Sequence, residues 1–230
     1  MIINPYRFAA AGGVGFGAAS RDFNGSNQYI DIASSTPNAA PLTLAAWINF
    51  DTTAGNQCII GIEGEVTPSS NVHGFVLVSV SGTIWGLTVA TSFDYAATTT
   101  TFSTGVWYHI VAVFTSSTDR KIYVNGNSTP EGTNTTNLTP NTTYVERTRI
   151  GDRANTVNEG TQYFNGKIAD VRVYNRAIST SEISDLYNFT HVSDGLVGWW
   201  LTDNDDVLDY AGTNDGTNNG TTYSTDGPAD

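Results

Sequence analysis

"YFNGKIADVRVYNRAISTSEISDLY", Tyr163 to Tyr187, carries two signals in 25 residues, an alternating strand and a capped helix. Asn165-Gly166 predicts a turn, because an Asn-Gly pair takes positive φ at little cost. From Ile168 to Tyr174, Ala169, Val171 and Val173 form an apolar face and Asp170, Arg172 and Tyr174 an amphipathic one. Ser179 then stands three residues before Glu182, the spacing of a capping box, with Ile178 and Ile183 placed as a hydrophobic staple. Ile183, Leu186 and Tyr187 make one apolar stripe, so the helix reads as a structural clip docked on whatever precedes it.

Upstream, the pattern is strand after strand. "LTLAAWINF" places Leu42, Leu44, Ala46, Ile48 and Phe50 on one side. "DFNGSNQYIDIAS" sets Ile30 and Ile32 against Tyr29, Asp31 and Ala33. "FVLVSVSGTIWGLTVA" predicts a hairpin turning at Ser81-Gly82, and "RKIYVNGNS" a turn at Asn125-Gly126. "WYHIVAVF" is apolar almost throughout, as a central strand covered on both faces must be. Short strands with regular turn punctuation predict an all-β antiparallel sandwich with one short helix. The segment from Asn127 to Thr143, rich in Thr, Asn and Pro, reads as a long loop, either a contact loop or a surface excursion. Its Asn134 and Asn141 match the glycosylation sequon, a match that so Asn- and Thr-rich a chain produces by chance.

Composition narrows the function. Charged residues are 14% of the 230, so the surface is polar through Ser, Thr and Asn rather than through ion pairs. A formal charge of −12 with ten scattered Lys and Arg argues against nucleic acid. Cys58 is the only cysteine, which excludes an internal disulfide, and its flank "QCIIGI" predicts a buried thiol in a strand. The start lacks the basic region and apolar core of a signal peptide, and no apolar run is long enough for membrane insertion.

"FNGKIADVRVYNRAISTSEI" resembles the closing motif of the laminin-G-like, concanavalin A-like jelly-roll family. "RDFNGSNQYIDIAS", "LTLAAWINF", "GVWYHIVAVF", "RKIYVNGN" and "TRIGD" resemble that family's earlier strands in order, from Arg21 onward. The resemblance implies a jelly-roll β-sandwich; on function it is broad, since the fold hosts lectins, enzymes and scaffolds alike. One segment is displaced. "GLVGWWLTDNDDVLDYAGTNDGT", Gly195 to Thr217, resembles the family's first strand and Asp-Gly loop, which normally precede the "DFNGS" strand. It is either the start of a second copy or a circular permutation, and the few residues after it favour the permutation. The expected organisation is an arm over 1–20, the jelly roll over 21–190, and 191–230 completing the same domain.

In related folds a calcium ion sits near that loop, held by carbonyls and by an Asp of the closing strand. The matching residues are Asp209, Asn214 and Asp215, with Asp170 as the strand carboxylate. The family's ligating strand position is Ala169 in this chain, and Asp170 next to it should face the other way, toward Arg172. The competing reading is a loop closed by Asx-turns.

No catalytic residue is assigned. A pair of carboxylates such as Glu63 and Glu65 is what glycoside cleavage needs, but the glycines around them favour turn or rim positions. His73, His109 and His191 lie far apart, and His109 resembles the family's buried structural histidine. Trp85, Phe93 and Tyr95 suit sugar stacking, but aromatics in a sandwich are more often core. "MIINPYRFAAAGG" resembles the openings of structural proteins from tailed bacteriophages. The expectation is a non-enzymatic, homo-oligomeric virion surface protein, for capsid decoration or a tail fibre, that contacts other virion proteins and adheres to cell-surface glycans. The alternatives are a carbohydrate-binding module of a bacterial surface protein and a polysaccharide-cleaving enzyme.

Overall fold

A computed structural model describes residues 18–34, 37–66, 71–154, 160–200 and 206–229. The strands are β1 (Ser20–Asn24), β2 (Tyr29–Ile32), β3 (Leu42–Phe50), β4 (Asn56–Val66) and β5 (Asn71–Val80). They continue with β6 (Thr83–Val89), β7 (Phe93–Ala97), β8 (Trp107–Ser116), β9 (Asp119–Val124) and β10 (Gly132–Asn134). β11 (Arg147–Ile150), β12 (Asn165–Tyr174), the helix α1 (Thr180–Tyr187), β13 (Leu196–Trp200), β14 (Thr217–Asn219) and β15 (Thr222–Ser224) follow. One antiparallel sheet runs β10-β9-β8-β3-β12-β1-β15 and is called sheet A; the other, sheet B, runs β14-β2-β11-β4-β5-β6-β7. The expected antiparallel jelly-roll sandwich is the architecture observed.

The core is the space between the sheets. The five β3 residues that the alternation groups on one side lie in it, with Ile30 and Ile32 of β2 and Ile110, Ala112 and Phe114 of β8. Ser81 and Gly82 take φ of 50° and 85°, the paired positive values of the hairpin turn expected there. Asn125 and Gly126 are left-handed as well, at 52° and 69°. The long Thr/Asn/Pro segment is not all loop: it contains β10, which pairs with β9, and a single 3-10 turn at Thr142–Tyr144.

β12 departs from the expectation in two places. Asn165-Gly166 is not a turn, because both residues already pair in the sheet, with Asn24 and Phe23 of β1. The glycine answers a close approach: a Cβ there would lie 2.2 Å from the Asn49 carbonyl oxygen. Further on, the register against β3 shifts between Ala169 and Arg172, with Asp170 at φ 48°. This bulge spends one extra residue and so breaks the simple alternation. Ile168, Val171 and Val173 point into the core, and Asp170 joins Arg172 on the outer side.

The bulge also divides the edge of β12 between two partners. β1 pairs with the stretch from Asn165 to Ile168, and β13 pairs with Val171 to Tyr174. Trp200 of β13 enters the core, and Trp199 packs outside sheet A with Tyr174, Leu186 and Tyr210. The last strands close the sandwich on that side, β14 beside β2 in sheet B and β15 beside β1 in sheet A. Buried Arg21 ties them down, donating through Nη1 to the Thr221 carbonyl and hydroxyl, both at 3.1 Å.

α1 covers the outer face of sheet A. Its capping box is complete: the Glu182 amide donates to Ser179 Oγ (3.3 Å), and the Ser179 amide donates to Glu182 Oε2 (2.7 Å). Ile183 and Leu186 are buried against Val111, Val113 and Trp199, and burial of such a side chain contributes about 1.5–3 kcal/mol. No helix among the described residues is long and apolar enough to cross a membrane.

Candidate functional site: an aromatic groove on the outer face of sheet B

β5 and β6 carry apolar residues on both faces. Phe75, Leu77 and Ile84 fill the core, and Val76, Val78 and Leu87 build a second cluster on the outside with Trp85 and Tyr95 packed against it. On sheet A the equivalent outer surface lies under α1. On sheet B it forms a groove of about 500 Å³, whose floor includes Val78 and Leu87 and whose sides include Trp85 and Phe93. Such a volume is in the usual range for small-molecule sites.

Trp85, Phe93 and Tyr95 are therefore not core residues, contrary to the expectation. Trp85 and Tyr95 are half-buried, and Phe93 is 63% exposed. Tyr95 covers one face of the Trp85 indole, with ring centroids 3.7 Å apart and planes within 2°. The pairing is diagonal across the β6–β7 register, in which Leu87 stands opposite Tyr95 and Trp85 opposite Ala97. The amide side chains of Asn56, Asn71 and Gln162 add hydrogen-bonding groups to the lining.

The polar wall is Arg153. Its Nε donates to Glu63 Oε2 (2.7 Å) and its Nη2 to Glu63 Oε1, a bidentate pair completed by the Ala154 amide on Oε2 (3.2 Å). Burial alone would lower the Arg153 pKa, but the Glu63 carboxylate outweighs it and the pKa rises. Glu63 is thus neither a turn nor a rim residue: it sits within β4, fully buried and held by a guanidinium. Glu65 belongs to the same strand, and its side chain lies outside the described residues. Behind this pair, Arg149 binds Asp31 (3.0 Å) and Asp152 (3.4 Å) and lies over the Tyr29 ring at 4.4 Å. Cys58 is fully buried, and burial raises its thiol pKa well above the ordinary value.

The calcium candidates fall into two groups. Asp209, Asn214 and Asp215 come together in a turn. Asp209 Oδ1 accepts from the Trp199 and Ala211 amides, its Oδ2 from the Asn214 amide, and the Asp209 amide donates to Asp215 Oδ1. Asp170 is bound bidentately by Arg172, at 2.9 Å on each oxygen, and accepts from Trp199 Nε1 at 2.7 Å. Asp209 thus faces N–H donors and Asp170 faces a guanidinium and an indole, the environment of an Asx-turn and of an ion pair. A cation on Asp170 would have to compete with a bidentate guanidinium and an indole, so Asp170 as arranged does not fit a calcium ligand.

The histidines are separate. His109 is buried beside Trp47, ring centroids 5.1 Å apart, and burial pushes its pKa down to about 3. His73 accepts from the Asn141 amide (3.2 Å) and stacks on Tyr144, which fastens the end of the Thr/Asn/Pro segment to sheet B. His191 stacks on Trp199. In that segment Asn134 is held by Arg120 and by the Asp94 carboxylate, and Asn141 caps the 3-10 turn.

Sequence reasoning did not find Arg153, Gln162, Asn56 or Asn71. The one available signal was the double-sided apolar pattern of "FVLVSV", which requires a second cover or a ligand surface outside the sheet.

This sandwich, with a closing strand and capped helix on its outer face, defines a lectin-type jelly roll. The chain belongs to the concanavalin A-like lectin/glucanase superfamily, whose family model matches residues 24–184. No curated protein matches the sequence. Among solved structures the chain is similar to a Bacteroides ovatus protein described as carbohydrate binding, at 20% identity and TM-score 0.70. That match covers 91% of this chain and 60% of the Bacteroides protein, so the chain spans about three fifths of that relative's length. It is also similar to the heptameric SAP-like pentraxin of Limulus polyphemus, at 16% identity and TM-score 0.60, covering 93% of this chain and 98% of the pentraxin. A third similarity is to the CBM40 of Ruminococcus gnavus IT-sialidase, solved with α2,3-sialyllactose, at 14% identity and TM-score 0.58, covering 74% of this chain and 99% of that one. At these identities the likeness is one of fold.

Proposed function

We propose that this protein is a non-catalytic glycan-binding protein, and that the outer groove of sheet B is its binding surface. The observation that carries the reading is the combination of Trp85 and Phe93 with three amide side chains in one open groove. Aromatic faces take the apolar C–H faces of sugars, and amides take the hydroxyls. Two of the similar structures are described as carbohydrate-binding, which agrees with this assignment. In keeping with a non-catalytic role, the Glu63 carboxylate is locked on Arg153 and is not positioned to protonate a leaving group or activate water.

The setting we propose is the surface of a tailed-phage particle, in repeated copies, where the protein contributes adhesion. This part rests on the opening residues, which lie outside the described residues, and on the acidic, disulfide-free composition. A carbohydrate-binding module of a bacterial surface protein is the second reading, favoured by the Bacteroides and Ruminococcus similarities; the groove would serve both. The two settings separate on whether the chain is incorporated into particles through residues 1–17.

The glycan assignment is tested on an array of bacterial and host oligosaccharides, with hits followed by calorimetry. Phe93→Ala, at an exposed position, should weaken a bound oligosaccharide about tenfold, and Trp85→Ala should weaken it more. Unchanged affinity in both variants would remove the groove from consideration.

A further inference from the structure

We infer that the groove takes an uncharged, extended oligosaccharide and discriminates against anionic sugars, a deepening that rests on the glycan-binding reading above. Among the described residues lining the groove, Arg153 alone carries a charge, and its guanidinium is engaged twice by Glu63, which is itself fully buried. The pair is neutral as a unit. An anion approaching Arg153 meets a guanidinium whose Nε and Nη2 already bind a buried carboxylate, and drawing it away would cost Glu63 its charge partner. Among the described residues the groove therefore offers amide and aromatic groups and a cation already engaged by a carboxylate. The rest of the chain acts in the same direction, since a formal charge of −12 repels anionic ligands at long range.

Shape supplies the second half. The groove shares Asn56 with a neighbouring hollow of about 290 Å³, lined by Gln57, Thr161, Tyr163 and Asn165. Gln162 lines the first hollow, and its chain neighbours Thr161 and Tyr163 line the second. The two hollows thus adjoin at Asn56, one reaching to Phe93 and the other to Tyr163. Together they are apolar and aromatic at the β6–β7 end and polar at the loop end, which suits several sugar residues in line better than a single terminal one.

The test is calorimetry of the intact protein with a neutral oligosaccharide series of one to five residues, and with sulfated or sialylated forms of the same backbones. The expected result is affinity that rises with length beyond two residues and falls at least tenfold when an anionic group is added. Glu63→Gln, which leaves Arg153 without its carboxylate partner, should narrow that gap if the variant folds; the wild-type comparison stands without it. Equal or tighter binding of the anionic series overturns the charge selectivity, and affinity complete at one residue overturns the extended ligand. In both cases sensitivity to Phe93→Ala would still uphold the groove. If no glycan of either series binds, or binding ignores Phe93→Ala, the underlying glycan reading fails as well.

Discussion

His109 shows how one side chain ties the fold to pH. It lies opposite Trp47 in the β3–β8 register, on the outer side of sheet A, with Tyr187 of α1 nearby. Burial favours its neutral form; Asp170 opposes that and Arg172 reinforces it, leaving a pKa of about 3 against an ordinary 6.5. The folded pKa lies below the unfolded one, so the native state is favoured fully above pH 6.5. That contribution is lost as pH falls from 6.5 toward 3, because the unfolded chain takes up the proton first. Across that window one proton is worth about 1.4 kcal/mol per pH unit. Urea unfolding at pH 7, 6, 5 and 4 should show the wild type losing about 1 kcal/mol per unit more than His109→Phe, which keeps a ring beside Trp47. Parallel stability curves for the two proteins would mean that His109 titrates without resistance from its surroundings.

At the scale of elements, α1 and β12 divide what was legible from what was not. The cap, the staple and the apolar stripe of α1 are local features, and each appears where the spacing put it. Arg176 adds a contact beyond the local pattern: it binds Glu182 at 2.5 and 3.0 Å and holds that carboxyl at a pKa of about 2, with the Ser179 amide and hydroxyl assisting. Ser179→Ala should therefore cost about 1 kcal/mol, read as a lower urea midpoint with unchanged slope. A loss below a few tenths would mean that Arg176 alone keeps Glu182 in place. β12 was legible as a strand but not in its detail. Its bulge at Asp170 lies where the edge of β12 passes from β1 to β13, and such partners are set by contacts distant in sequence. Asn165-Gly166 misled for the same reason: the pair signals a turn locally, while here the glycine admits the backbone of β3.

The whole molecule is closed by its own C-terminal segment, with β13, β14 and β15 distributed over both sheets. The described strands run from Ser20 to Ser224, and residues 1–17, outside the described residues, are the proposed docking arm. A chain lacking 1–17 should keep the wild-type melting temperature and glycan affinity and be missing from assembled particles. Truncated protein found on particles at the normal level would refute docking through this arm. Sequence alone determined the fold class, the grouping of Leu42, Leu44, Ala46, Ile48 and Phe50 on one face of β3, the hairpin turn at Ser81-Gly82 and the capped helix. Those follow from periodicities of two and 3.6 and from backbone chemistry acting over a few residues. Only the tertiary structure decided that Trp85 and Phe93 face outward and that Glu63 is neutralised by Arg153 ninety positions away. Alternation shows that a strand has two faces, but which face meets the other sheet and which remains as a groove depends on layers brought together from distant parts of the chain.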